Sequence, residues 1–100
     1  MSTVATISER IAANRDEILR IASKHGVGRI RVFGSAARGT DGPESDADFI
    51  VMPGPAHIPW FPGGLVADLE DLLGCRVDVV LESAPDSPEK RRILEMAVEI

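Results

Sequence analysis

The sequence predicts a small α/β domain, a mixed three- or four-stranded sheet with flanking helices. Three observations point there. Apolar stripes at helical spacing alternate with short β-rich runs, glycines punctuate the boundaries between them, and 44% hydrophobic content over 100 residues supplies one core rather than two. Residues 1–100 are therefore read as one domain, with a radius of gyration of about 13 Å. A large substrate must lie on the surface of such a domain or be held by another protein.

Thr6-x-x-Glu9 has the form of a capping box, so a helix begins there. Ile7, Ile11, Ile18, Ala22 and their neighbours Leu19 and Ile21 then recur near a 3.6-residue period, with Arg10, Asp16, Glu17, Arg20 and Lys24 on other faces. Gly26 follows His25 as a stop, and His25 reads as a last-turn residue favoured by the helix dipole. Arg29–Phe33 alternates and is β-rich, a strand ending at Gly34. Ser35–Arg38 becomes the first turn of a short helix, whose free backbone N–H groups face whatever lies above the strand end.

Thr40–Ser45, with its Asp-Gly-Pro centre, is a loop. Asp46–Met52 follows as a strand whose Phe49–Met52 portion is continuously apolar and reads as buried on both faces. Alternation along this strand puts Asp46 and Asp48 on the same side.

Pro53–Gly64 holds four prolines and three glycines, which disfavours regular structure. Within it, Trp60 and Phe61 read as closing the core from the loop rather than as contacts to a base or a partner. His57 reads as a surface residue rather than a catalyst. Leu65, Leu69, Leu72 and Leu73 form a helical stripe, with Asp68, Glu70 and Asp71 facing out and Gly74 as the stop. The strand Arg76–Glu82 places Asp78 among valines and a leucine, where a lone carboxylate needs a partner or a cation. Ser87-Pro88 starts a last helix, with Ile93, Leu94 and Ala97 as its buried side. Its Lys90-Arg91-Arg92 run reads as a solvated face rather than a phosphate or partner contact.

A net charge of −5 disfavours binding to duplex DNA, which draws affinity from many cationic contacts. Small polyphosphates carried with metal ions remain compatible. Cys75 is the lone cysteine and reads as a small buried hydrophobe; no intramolecular disulfide can form, and a cytoplasmic setting is expected. No apolar run approaches the length of about 20 residues that spans a bilayer, so no membrane partner is expected.

The segment from Phe33 to Asp48 concentrates a glycine turn, a hydroxyl, an arginine and two carboxylates, which reads as a phosphate and metal site. Asp46, Asp48 and Asp78 together are what a two-metal phosphoryl-transfer site needs, since magnesium takes oxygen ligands and a metal pair about 3.5–4 Å apart stabilises attacking and leaving oxygens. Two like charges about 4 Å apart at an effective dielectric near 20 repel by about 4 kcal/mol. A cluster of three is a strain that cations relieve.

Gly34-Ser35, ten intervening residues, then Asp46-x-Asp48 resembles the motif of the polymerase β-like nucleotidyltransferase superfamily. The fuller string, Gly34-Ser35-x-Ala37-Arg38-Gly39 leading to Ser45-Asp46-x-Asp48, resembles its minimal nucleotidyltransferases, the antitoxins that pair with HEPN toxins. Leu72-Leu73-Gly74-x-x-Val77-Asp78-Val79-Val80 fits the place of that family's third aspartate. The resemblance implies that Gly34 and Ser35 hold the triphosphate of ATP, with Arg38 either a secondary phosphate contact or a helix-to-loop anchor, and Ser45 beside them. It implies that Asp46 and Asp48 ligate two Mg2+ ions, and that Asp78 ligates the catalytic one and helps activate the acceptor hydroxyl.

The implied activity is transfer of AMP from ATP to a tyrosine of a partner HEPN RNase toxin, silencing it. Two other readings stay open: a non-catalytic antitoxin that neutralises its toxin by binding, and nucleotidyl transfer to a small molecule or a tRNA end. The Pro53–Gly64 connection is longer and more aromatic than the family's usual one. No second substrate-binding domain is recognisable, so acceptor recognition is expected from the toxin or from a homo-oligomer.

Overall fold

The structure, a computed structural model, describes residues 5–55 and 60–100. His57 lies outside the described residues. The helices are α1 (Ile7–Ala13), α2 (Arg15–Lys24), α3 (Gly34–Arg38), α4 (Gly63–Leu73) and α5 (Pro88–Met96). The strands are β1 (Val27–Phe33), β2 (Ala47–Pro53), β3 (Val77–Leu81) and β4 (Val98–Glu99), ordered β3-β2-β1-β4 in one mixed sheet. β1 is antiparallel to β2 and β4, whereas β2 and β3 run parallel. The expected α/β class with a four-stranded mixed sheet is what the chain adopts.

The sheet has two unlike faces. Ile30, Val32, Ala47, Phe49, Val51 and Val77 are buried on one face against Ile7, Ile11, Ile18, Ala22, Leu65, Leu69 and Leu73 of the helices. Alternation sends Phe33, Asp48, Ile50, Asp78 and Val80 to the other face. Phe49, Ile50 and Val51 are buried as expected, but Met52 is 41% exposed, because it stands near the end of β2 on the second face.

The capping box at Thr6 forms, with Thr6 Oγ1 accepting from Glu9 N at 3.2 Å and Glu9 Oε1 accepting from Thr6 N at 3.0 Å. The helix it starts breaks at Asn14, whose side chain donates to Arg10 O at 2.8 Å and so diverts the chain between α1 and α2. β1 begins at Val27, two residues earlier than the sequence suggests, and its register slips between Val27 and Arg29 around Gly28. Ser87 caps α5 by accepting from Lys90 N at 3.0 Å. Ile93, Leu94 and Ala97 are half-buried rather than buried, since α5 packs chiefly on the short helix α3.

His25 does more than end α2. Its Nε2 meets Asp68 Oδ2 at 2.7 Å, tying α2 to α4, and that hydrogen bond, helped by Lys24, holds the Asp68 carboxyl below the ordinary range. Asp68 thus faces a partner rather than open solvent. Glu70 also turns inward, accepting from Val77 N at 3.2 Å, while Asp71 is exposed. Phe61 packs on the core as expected, whereas Trp60 is 88% exposed. Among the described residues no helix is long and apolar enough to cross a membrane.

Candidate active site

β1 ends where Phe33 gives way to Gly34, which turns into α3 at φ 74. That left-handed conformation is open to glycine and costly for other residues. The turn is tight for a second reason: a Cβ at position 34 would fall 2.4 Å from Asp48 Oδ2. The backbone of the turn is therefore pressed against a carboxylate of the neighbouring strand. Ser35 closes the short helix behind it, its carbonyl accepting from Gly39 N and from Thr40 N. Its hydroxyl makes no hydrogen bond to the described residues.

Sheet register assembles the acids. Asp48 is the Cα partner of Phe33 on one side and of Asp78 on the other. Asp46 stands just before β2 and is exposed, Asp48 is half-buried, and Asp78 is exposed. The valines around Asp78 thus do not bury it: their side chains and its own alternate across an edge strand. Burial pushes the Asp48 carboxyl above the ordinary range, Asp78 and then Asp46 push it further, and Arg38 pulls the other way. Asp78, Asp46 and Arg38 thus all act on the Asp48 carboxyl.

Among the described residues no three carboxylate, histidine or cysteine side chains are gathered tightly enough to grip one ion as they stand. The donor set nonetheless suits magnesium, being three hard oxygen ligands whose mutual repulsion a cation relieves. Ser45 has a structural task, its Oγ accepting from Gly42 N at 2.9 Å, with its hydroxyl proton left to donate.

Two residues that hold the site escaped the sequence reading. Asp41 accepts from Ser8 N at 2.6 Å and Ser8 Oγ at 3.0 Å, fastening the loop before Asp46 to the start of α1. Arg10 donates to Pro43 O at 3.3 Å and to Leu73 O at 3.1 Å, linking that loop to the end of α4. Asp41 is a familiar turn residue and Arg10 lies on a helix face, so neither carries a signal of its long-range partner.

The family model described as "Nucleotidyltransferase domain" matches residues 15–100. A Methanocaldococcus jannaschii protein, MJ0435, whose name proposes protein adenylyltransferase activity, is 37% identical over 84 residues, covering 84% of this chain and 90% of that protein. The solved structure of a proposed minimal nucleotidyltransferase superposes with TM-score 0.80 at 34% identity, covering 93% of this chain and 95% of that one. A solved toxin–antitoxin structure with AMP-PNP shares the fold at TM-score 0.73 and 20% identity, covering 86% and 71% of the two chains. With the Gly34 turn, the paired Asp48 and Asp78, and these relatives together, the chain belongs to the nucleotidyltransferase domain family.

Proposed function

We propose that this chain is an antitoxin that transfers AMP from ATP to a tyrosine hydroxyl of a partner HEPN RNase in the cytoplasm. The observation that carries the reading is Asp48 and Asp78 side by side in parallel register, with the Gly34 turn pressed against Asp48. Carboxylates so crowded call for cations, and a glycine turn beside them is where a phosphate chain can approach the backbone. The relatives named for protein adenylylation support the protein acceptor, and the toxin–antitoxin fold match supports the kind of partner.

In this reading Gly34 and Ser35 hold the triphosphate, with the free Ser35 hydroxyl donating to it, and Arg38 adds a charged contact. Ser45 steadies the loop that delivers Asp46. Asp46, Asp48 and Asp78 would hold two Mg2+ ions, which supply counter-charge to the phosphates and to the attacking and leaving oxygens. The acceptor oxygen forms a bond to the α-phosphorus while the bond to the β-phosphate oxygen breaks. The hydroxyl proton passes to the Asp78 carboxylate, and pyrophosphate departs.

The test is incubation with α-labelled ATP, magnesium and a purified HEPN RNase as candidate partner. Label on a tyrosine of the RNase, together with loss of RNase activity, is expected. Silencing without label would replace the reading with inhibition by binding, and label on a tRNA end or a small molecule would replace the acceptor.

A further inference from the structure

The chain has 11 lysines and arginines. Eight of them are engaged within the fold, from Arg10 on its two carbonyls to Arg91, which donates to Asp86 at 2.7 Å. The remaining three, Arg38, Arg76 and Arg92, are exposed and make no hydrogen bond or ion pair to the described residues. In an acidic chain that pairs most of its cations, the three left over are not scattered. Arg76 immediately precedes β3, two residues from Asp78 and so on the same face, while Arg38 and Arg92 flank the β1 side of the acids.

The basic run of α5 accordingly divides. Lys90 donates to Ala84 O at 2.7 Å and Arg91 is held by Asp86, which leaves Arg92 as the unspent member. Arg92 and Arg38 line one cavity of about 250 Å³ together with Phe33 and Gly34. Ile93 and Met96 give it an apolar wall, which lowers the local dielectric and strengthens any charge interaction at its mouth. Glu89, one helical turn before Arg92, is its acidic member.

We propose that Arg92 is a phosphate-binding residue of this site, closing with Arg38 on the β,γ end of the nucleotide from α5. The proposal rests on the nucleotide-transfer reading above and adds to it a residue on the last helix. An arginine fork matches phosphate oxygens two at a time, and α5 sets it beside the Gly34 turn on which the phosphates approach. Glu89 opposes any anion there, so it weakens binding of free polyphosphate.

The test is calorimetric titration of the whole chain, in magnesium, with inorganic tripolyphosphate, ATP and AMP. Arg92→Ala should weaken tripolyphosphate and ATP by about tenfold and leave AMP nearly unchanged. Arg92→Lys should recover only part of the loss, and Glu89→Gln should tighten tripolyphosphate. Arg76→Ala, across the acids from the cavity, should weaken tripolyphosphate less than Arg92→Ala. Equal losses from Arg76→Ala and Arg92→Ala would reduce the effect to diffuse charge and overturn the proposal. ATP bound equally by the wild type and Arg92→Ala would overturn it while leaving nucleotide transfer intact. A wild type that binds neither ATP nor tripolyphosphate would overturn both.

Discussion

The Asp48 carboxylate fills the space that a side chain at Gly34 would need: a Cβ there would lie 2.4 Å from Asp48 Oδ2. Gly34→Ala must therefore either turn Asp48 out of place or shift the end of β1. It also adds left-handed strain of about 1–2 kcal/mol. In a domain of this size each kcal/mol lowers Tm by about 4–8 °C. The variant should melt several degrees lower and lose AMP transfer. Unchanged melting and transfer would mean that the turn has slack the structure does not show.

Asp48 and Asp78 face each other across the β2–β3 pairing, and the Asp48 carboxyl is pushed up by burial first, then by Asp78 and Asp46. The folded chain binds that proton more tightly than the unfolded one. Its stabilising contribution is complete below the unfolded Asp value of about 3.9 and is lost as pH rises through the raised folded value. Asp78→Asn removes one source of the push, so metal-free Tm at pH 7 should hold or rise. Transfer should fall by about 100-fold or more, since the charge stabilisation at stake is several kcal/mol. Thermal melts with and without magnesium, beside transfer assays, check both halves. A clear loss of metal-free stability would show that Asp78 is a structural residue.

The elements that place the candidate site residues are legible because they are local or periodic. Gly34-Ser35 lies at a strand end, Asp48 follows the two-residue alternation of β2 with Asp46 just ahead of that strand, and Asp78 sits in a plain β-rich run. What was not legible depends on partners distant in sequence. Nothing near Asp41 points to Ser8, 33 residues away, and nothing near His25 points to Asp68, 43 residues away. β4 carries no signal in the sequence because two residues have no periodicity; Val98 and Glu99 become a strand only through β1. The apolar sequence neighbours of Asp78 suggest apolar surroundings, although a strand sends them to the opposite face and leaves Asp78 exposed.

Arg31 and Glu82 illustrate the same point and carry a prediction. Their ion pair lies on the sheet's second face with side chains only 11% and 16% exposed, and Arg31 Nε already lacks a partner among the described residues. Glu82→Ala would leave the guanidinium with neither its carboxylate nor full access to water, at a cost of about 3 kcal/mol. Arg31→Met combined with Glu82→Leu should restore most of that stability by replacing both charges together. Urea unfolding of the two variants decides it. A loss below about 1 kcal/mol for Glu82→Ala would class the pair with solvent-screened surface bridges.

Trp60 and Phe61 are adjacent aromatics with opposite surroundings, one 88% exposed and the other packed on the core. Phe61→Ala removes apolar contacts from a half-buried position and should cost about 2 kcal/mol, below the range for a fully buried phenylalanine. Trp60→Ser removes little buried area and should stay within about 0.5 kcal/mol of the wild type. Trp60 follows β2 at the end opposite Asp48, so its replacement should also leave ATP binding untouched. If the exposed indole serves a protein surface, Trp60→Ser should weaken capture of the proposed HEPN RNase partner while both the melt and ATP binding stay unchanged. Retention of the partner at full strength would leave Trp60 without a binding role, and a destabilised Trp60→Ser would place the indole against the fold.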